Sequence, residues 1–182
     1  MAEKSNSATE QPLAIPPDDP LRKLATVQPT DQKISHIGVV GDTYTVLLTG
    51  KETAGRFCLI DMYVPPGGGP PPHRHDFEET FILLEGELDV IFRGAKQAVR
   101  TGQTIHVPAN APHQFQNSST HPARMLCICS PAGQEDFFVE IGVQVPTRTT
   151  PPPELDGAAQ SEFRAKAAAL APKYRTELLR RA

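Results

Sequence analysis

The chain lacks an excess of either charge. Its 18 Lys and Arg stand against 21 Asp and Glu, a formal net charge of -3. A balance this even creates no field to draw in nucleic acid or an anionic membrane, so neither is expected as a partner. It also lacks a run of the roughly 18 to 20 apolar residues that crosses a bilayer, and it lacks a secretory apolar region. A soluble, cytoplasmic protein is expected. Three cysteines, Cys58, Cys127 and Cys129, are an odd count, and each lies in an apolar, strand-like run, so reduced thiols are expected rather than a disulfide framework. No internal repeat, glycine-rich phosphate loop, nucleophile elbow or Ser/His/Asp order stands out.

What the chain does have is punctuation. Nineteen prolines and 13 glycines in 182 residues cut the middle into runs of strand length. Residues 1–30 are polar and carry Pro12, Pro16, Pro17, Pro20 and Pro29 without an apolar period, which predicts a mobile N-terminal arm. From Ile34 to Cys129 come short β-rich runs: Thr43–Thr49, Phe57–Val64, Thr80–Leu84, Leu88–Phe92, Thr104–Val107 and Ala123–Cys129. Turn residues such as Glu85-Gly86 and Arg93-Gly94 separate them, and no αβ alternation is present, so an all-β antiparallel sandwich or barrel is expected.

Ser130-Pro131 has the form of a helix start, with Ser as N-cap and Gly142 as the stop. Residues 31–142 are thus one barrel with a short closing helix. Residues 143–182 are a linker and a helical tail, an Ala-rich segment from Ser161 to Arg181 that Pro172 should break. The tail is basic, but no aromatic platforms accompany the charge, so it reads as a solvated surface helix.

The chemistry concentrates in two runs. The first is Gly67-Gly68-Gly69-Pro70-Pro71-Pro72-His73-Arg74-His75-Asp76-Phe77-Glu78-Glu79. Strand side chains alternate, so His73 and His75 share a face about 6.6 Å apart, and Glu79 shares it too if the pairing is continuous. The prolines hold the approach extended and the glycines let the chain turn ahead of it. The second run, Gly102 to Asn117, brings His113 in behind Pro112. Two histidines on a strand are also compatible with solvent-facing or hydrogen-bonded side chains.

The combined spacing resembles the cupin superfamily. The first run matches G-x5-H-x-H-x3-E-x6-G at Gly67, His73, His75, Glu79 and Gly86. The second resembles G-x5-P-x-G-x2-H-x3-N at Gly102, Pro108, His113 and Asn117, with Asn110 where Gly is usual. Asn is the residue besides Gly that best tolerates a left-handed turn. The resemblance implies a double-stranded β-helix, or jelly-roll barrel, whose His73, His75, Glu79 and His113 bind one divalent metal. It also implies a homodimer. Three imidazoles and a carboxylate suit Fe, Mn, Ni, Cu or Zn better than Mg or Ca.

Phe81 and Leu83 are in phase with Glu79, and Phe115 is in phase with His113, so these three are the candidate substrate-binding wall as well as candidate core. A small apolar or aromatic molecule fits such a wall. The expected function is a metal-dependent oxidoreductase resembling quercetin dioxygenase-like cupins, acting on an enolic or phenolic substrate, with Glu79 as ligand and proton acceptor. The alternatives are a sugar or sugar-phosphate isomerase or epimerase, and a non-catalytic metal or small-ligand binder. His36, His106 and His121 fall outside the ligand positions, with His106 best placed to support His113. Cys127 and Cys129 share a strand face but have no two further ligands nearby in sequence, and so read as small buried hydrophobes.

Overall fold

A computed structural model describes residues 14–180. The first half of the expected N-terminal arm, residues 1–13, lies outside the described residues. Two antiparallel sheets form the protein. The seven-stranded sheet is built from β1 (His36–Val39), β2 (Asp42–Leu48), β3 (Cys58–Val64), β5 (Glu78–Glu85), β8 (Thr104–Val107), β10 (Ala123–Ser130) and β11 (Val143–Gln144). Its order is β11-β1-β2-β3-β10-β5-β8. The five-stranded sheet holds β4 (His73–His75), β6 (Glu87–Phe92), β7 (Ala95–Arg100), β9 (His113–Gln116) and β12 (Thr176–Leu178), in the order β12-β4-β9-β6-β7. This is a jelly-roll sandwich, as the strand pattern predicts.

The alternation that makes these runs strands also fills the core. Along β10 the odd-numbered Ala123, Met125, Cys127 and Cys129 are buried, and they meet Val64, Met62, Ile60 and Cys58 of β3 in register. On the other flank β5 buries Glu79, Phe81 and Leu83 against the same strand. Each large apolar side chain removed from water here contributes about 1.5–3 kcal/mol. The β5–β6 hairpin turns at Gly86, whose φ of 78° suits glycine, and a Cβ there would stand 2.8 Å from the Pro122 carbonyl.

Two elements differ from the sequence expectation. Ser130 is the last residue of β10 rather than an N-cap; the short helix α1 (Gly50–Thr53) lies between β2 and β3, and helix α2 runs from Gln134 to Ile141 behind Gly133. Strand pairing with Glu78 holds Ser130 extended and delays the start. Gly142 does end the helix, and Phe137 and Ile141 are buried on one face. Phe138 packs 4.8 Å from the Tyr44 ring and Phe137 5.4 Å from Tyr174, so α2 ties the large sheet to the C-terminal segment.

That segment is not wholly helical. Helix α3 (Gly157–Leu170) is capped by Asp156, whose Oδ1 accepts from the Ala159 amide. It stops two residues before Pro172, which enters a 3-10 turn over Ala171–Tyr174. The chain then becomes β12, antiparallel to the short β4, with Thr176 opposite His75 and Leu178 opposite His73. The pairing satisfies the backbone of an otherwise open strand edge, a requirement that no apolar period reports.

Candidate metal centre

His73 and His113 face each other as register partners on β4 and β9. Glu79 reaches them from the opposite sheet. The chain leaves the five-stranded sheet after His75, crosses at Asp76-Phe77 and enters β5, so the pairing is not continuous from His75 to Glu79. The carboxylate therefore meets the histidines across the sandwich instead of along one strand. His73 is 9% exposed and His75, Glu79 and His113 are each 3% exposed.

The local chain fixes each ring. His73 Nδ1 lies 2.9 Å from the Pro71 carbonyl, His75 Nδ1 2.9 Å from that of Phe77, and His113 Nδ1 2.9 Å from that of Ala111. A carbonyl can only accept, so each Nδ1 donates and the neutral ring keeps a bare lone pair at Nε2. Stacking of His75 on Phe77, 3.8 Å between centroids and nearly parallel, holds that ring further. Upstream, Gly69 has a φ of 128°, and a Cβ on it would lie 2.2 Å from the Phe115 carbonyl. Asn110 adopts the left-handed φ of 67° and donates its amide to the His75 carbonyl at 2.6 Å. Asn117 is a loop fastener: its Nδ2 donates to the Val64 and His121 carbonyls.

The ligand atoms of His73, His75, Glu79 and His113 all lie within 4.8 Å of one another. Glu79 Oε2 is 3.1 Å from His75 Nε2 and 3.0 Å from His113 Nε2. Neutral imidazole nitrogens and a carboxylate are all acceptors on these sides, so their convergence calls for a cation between them, a metal ion or protons. Titration follows from this. Burial, then the charge of His113, lowers His73 to about 4, so it is neutral and ready to ligate. Burial opposes charge on His113, but the Glu79 hydrogen bond and charge overcome it and raise its pKa. Burial would likewise raise Glu79, yet hydrogen bonds from His113 and His75 hold it well below the usual carboxylate range.

The wall residues Phe81, Leu83 and Phe115 all point inward; Phe81 and Phe115 meet edge to face at 5.6 Å. His106 does not support His113. It is exposed, bonded to Thr80 and Glu78 on the outer surface. Surface hollows lined by Gly86, Glu87, Arg100 and His121 contain none of the four ligands. The residues least visible in sequence are the thiols: Cys127 Sγ donates to Glu79 Oε1 at 3.3 Å and Cys129 Sγ at 3.7 Å. Burial pushes the Cys127 thiol up to about 12.

A two-sheet jelly roll holding a His3Glu cluster in its interior is the arrangement that the cupin resemblance implies. Residues 60–129 match the family model described as a cupin domain. The chain is 30% identical over 100 residues to quercetin 2,3-dioxygenase of Bacillus subtilis, covering 54% of this chain but only 29% of that enzyme. Two solved structures share the fold. The polyketide cyclase RemF from Streptomyces resistomycificus aligns with a TM-score of 0.54 at 22% identity, over 79% of this chain and 94% of that one. An RmlC-like cupin from Shewanella frigidimarina aligns at 0.50 and 16% identity, over 61% and 96%. No helix among the described residues is long and apolar enough to cross a membrane.

Proposed function

We propose that this cupin is a metal-dependent oxidoreductase of the dioxygenase type, acting on a small apolar or aromatic enol or phenol at His73, His75, Glu79 and His113. The observation that carries the reading is the set of three Nε2 lone pairs and one carboxylate oxygen turned to a common point in an apolar interior. That donor set fits Fe, Mn, Ni, Cu or Zn. When bound, such an ion supplies Lewis acidity and, for the redox-active members, one-electron exchange with O2. The partial identity to quercetin 2,3-dioxygenase supports the same direction.

The chain's own residues supply position and a proton acceptor. Pro71, Phe77 and Ala111 carbonyls keep the three rings aimed inward. Phe81, Leu83 and Phe115 bound the substrate on its apolar side. Glu79 Oε2 accepts the substrate hydroxyl proton. Arg74 faces outward, paired with Glu177 at 2.6 Å, and offers no clamp for a sugar phosphate.

The test is metal analysis of the purified protein followed by an oxygen-electrode screen with flavonols, catechols and diketones. Oxygen uptake dependent on one metal is expected. Sugar isomerisation without uptake, or ligand binding without turnover, overturns the reading. We further infer a homodimer, supported by Ile15, Leu21 and Leu24, which stand 84–95% exposed along the arm; a monomer alone in sedimentation at high concentration would count against it.

A further inference from the structure

All three cysteines of the chain face the interior of the sandwich, although Cys58 comes from β3 and the other two from β10. Cys127 and Cys129 are successive inward positions on β10, and Cys58 is the register partner of Cys129 on β3. All three are free and 0% exposed. Glu79 stands beside them, opposite Cys129 in the β5–β10 register, and divides its two oxygens: Oε2 turns to the imidazoles and Oε1 to the thiols.

The spacing of those donors has a chemical meaning. Cys127 and Cys129 Sγ are 3.6 Å apart, and Oε1 is 3.3 Å from one and 3.7 Å from the other. An ion with metal–sulfur bonds of about 2.3 Å and a metal–oxygen bond of about 2.0 Å in a tetrahedron separates its sulfurs by about 3.8 Å and sulfur from oxygen by about 3.5 Å. All three observed edges agree with that figure to within about 0.2 Å. Cys58, the register partner of Cys129, is not one of these mutually close donors.

We propose a second metal site in this barrel, distinct from the His3Glu centre, in which Cys127, Cys129 and Glu79 Oε1 take a thiophilic ion of the zinc and cadmium class. Glu79 then bridges the two sites, one oxygen to each. Soft thiolate donors select such ions, whereas the imidazole set beside them accepts harder ones, so the two sites divide the metals of one cavity by ligand type. Loading breaks two S–H bonds, forms two metal–sulfur bonds and releases two protons to solvent, with no change of oxidation state. The site does not depend on catalysis at the histidines.

The experiment is a titration of the full, reduced protein with Cd(II) alone, following the ultraviolet thiolate-to-cadmium charge-transfer band and the ions bound per chain. The wild type should show the band and bind two ions. His113→Ala should keep the band and lose one ion, and Cys127→Ser with Cys129→Ser should lose the band and keep the other ion. Absence of the band in the wild type, or a band that vanishes in His113→Ala, overturns the proposal, because the thiols would then only pack, or only lend a donor to the histidine site. The wild type and His113→Ala both keep every thiol, so a misfolded cysteine variant does not affect the decision. Oxygen uptake is not part of the readout, so failure of the dioxygenase reading leaves the result standing.

Discussion

Asp42→Asn should make the metal-free protein more stable at neutral pH, and by an amount that the structure sets. Asp42 is 0% exposed on β2. Its Oδ2 accepts from Tyr44 at 3.0 Å, while Oδ1 has no side-chain partner and abuts Gly68 in the turn that leads to His73. Burial raises its pKa from 3.8 to about 7, against the opposing hydrogen bond from Tyr44. Below 3.8 both folded and unfolded chains carry the proton and the group has no effect. Between 3.8 and 7 the unfolded chain gives it up and the folded chain retains it, so rising pH costs stability at about 1.4 kcal/mol per pH unit. The full loss is about 4 kcal/mol, reached near pH 7. His73 acts with the opposite sign, because its lowered pKa makes stability fall as pH drops from 6.5 to about 4. The wild-type profile is therefore flattened by two opposing groups, and only the difference between wild type and variant isolates Asp42. Urea denaturation in chelator at pH 4.5, 6 and 7.5 should give a difference that grows with pH by about 3 kcal/mol in favour of the variant. A difference independent of pH, or a variant less stable at pH 7.5, would refute the argument.

Three further outcomes are expected. His73→Ala or His113→Ala should remove the metal held by the His3Glu site of the purified protein, since one of four convergent donors is lost; elemental analysis at wild-type stoichiometry would show the ligand assignment to be wrong. The thermal shift caused by chelator should be large near neutral pH and shrink on acidification, with His113, whose pKa is raised, taking the first competing proton while His73 resists until about pH 4; an undiminished shift at pH 4 would exclude histidine ligation. Removing residues 171–182 should lower metal affinity, because β12 holds the backbone of the ligand strand β4; unchanged affinity in a metal titration would show that β4 keeps its geometry unaided.

How much of this was legible beforehand divides along a physical line. Alternation within a strand is local, so the six β-rich runs, the inward phase of Phe81 and Leu83 with Glu79, and that of Phe115 with His113 follow from order alone. The left-handed turn at Asn110 is equally local, because one residue type favours one φ. The even spacing of His73 and His75 likewise predicts a shared face, which β4 provides. Pairing across the sandwich is not local. The step of four from His75 to Glu79 gives a shared face only on a continuous strand, whereas the chain changes sheets between them and the carboxylate arrives from the opposite layer. The strand character of Thr176–Leu178 belongs to the open edge of β4 that it covers, not to its own apolar pattern. Nor did the sequence place Cys127 and Cys129 beside Glu79, which lies 48 positions before the nearer of them. Only the register of β5 and β10 sets Cys127 and Cys129 against Oε1 of Glu79, because hydrogen-bonded neighbours in a sheet are chosen by topology and core packing, which no short stretch of sequence contains.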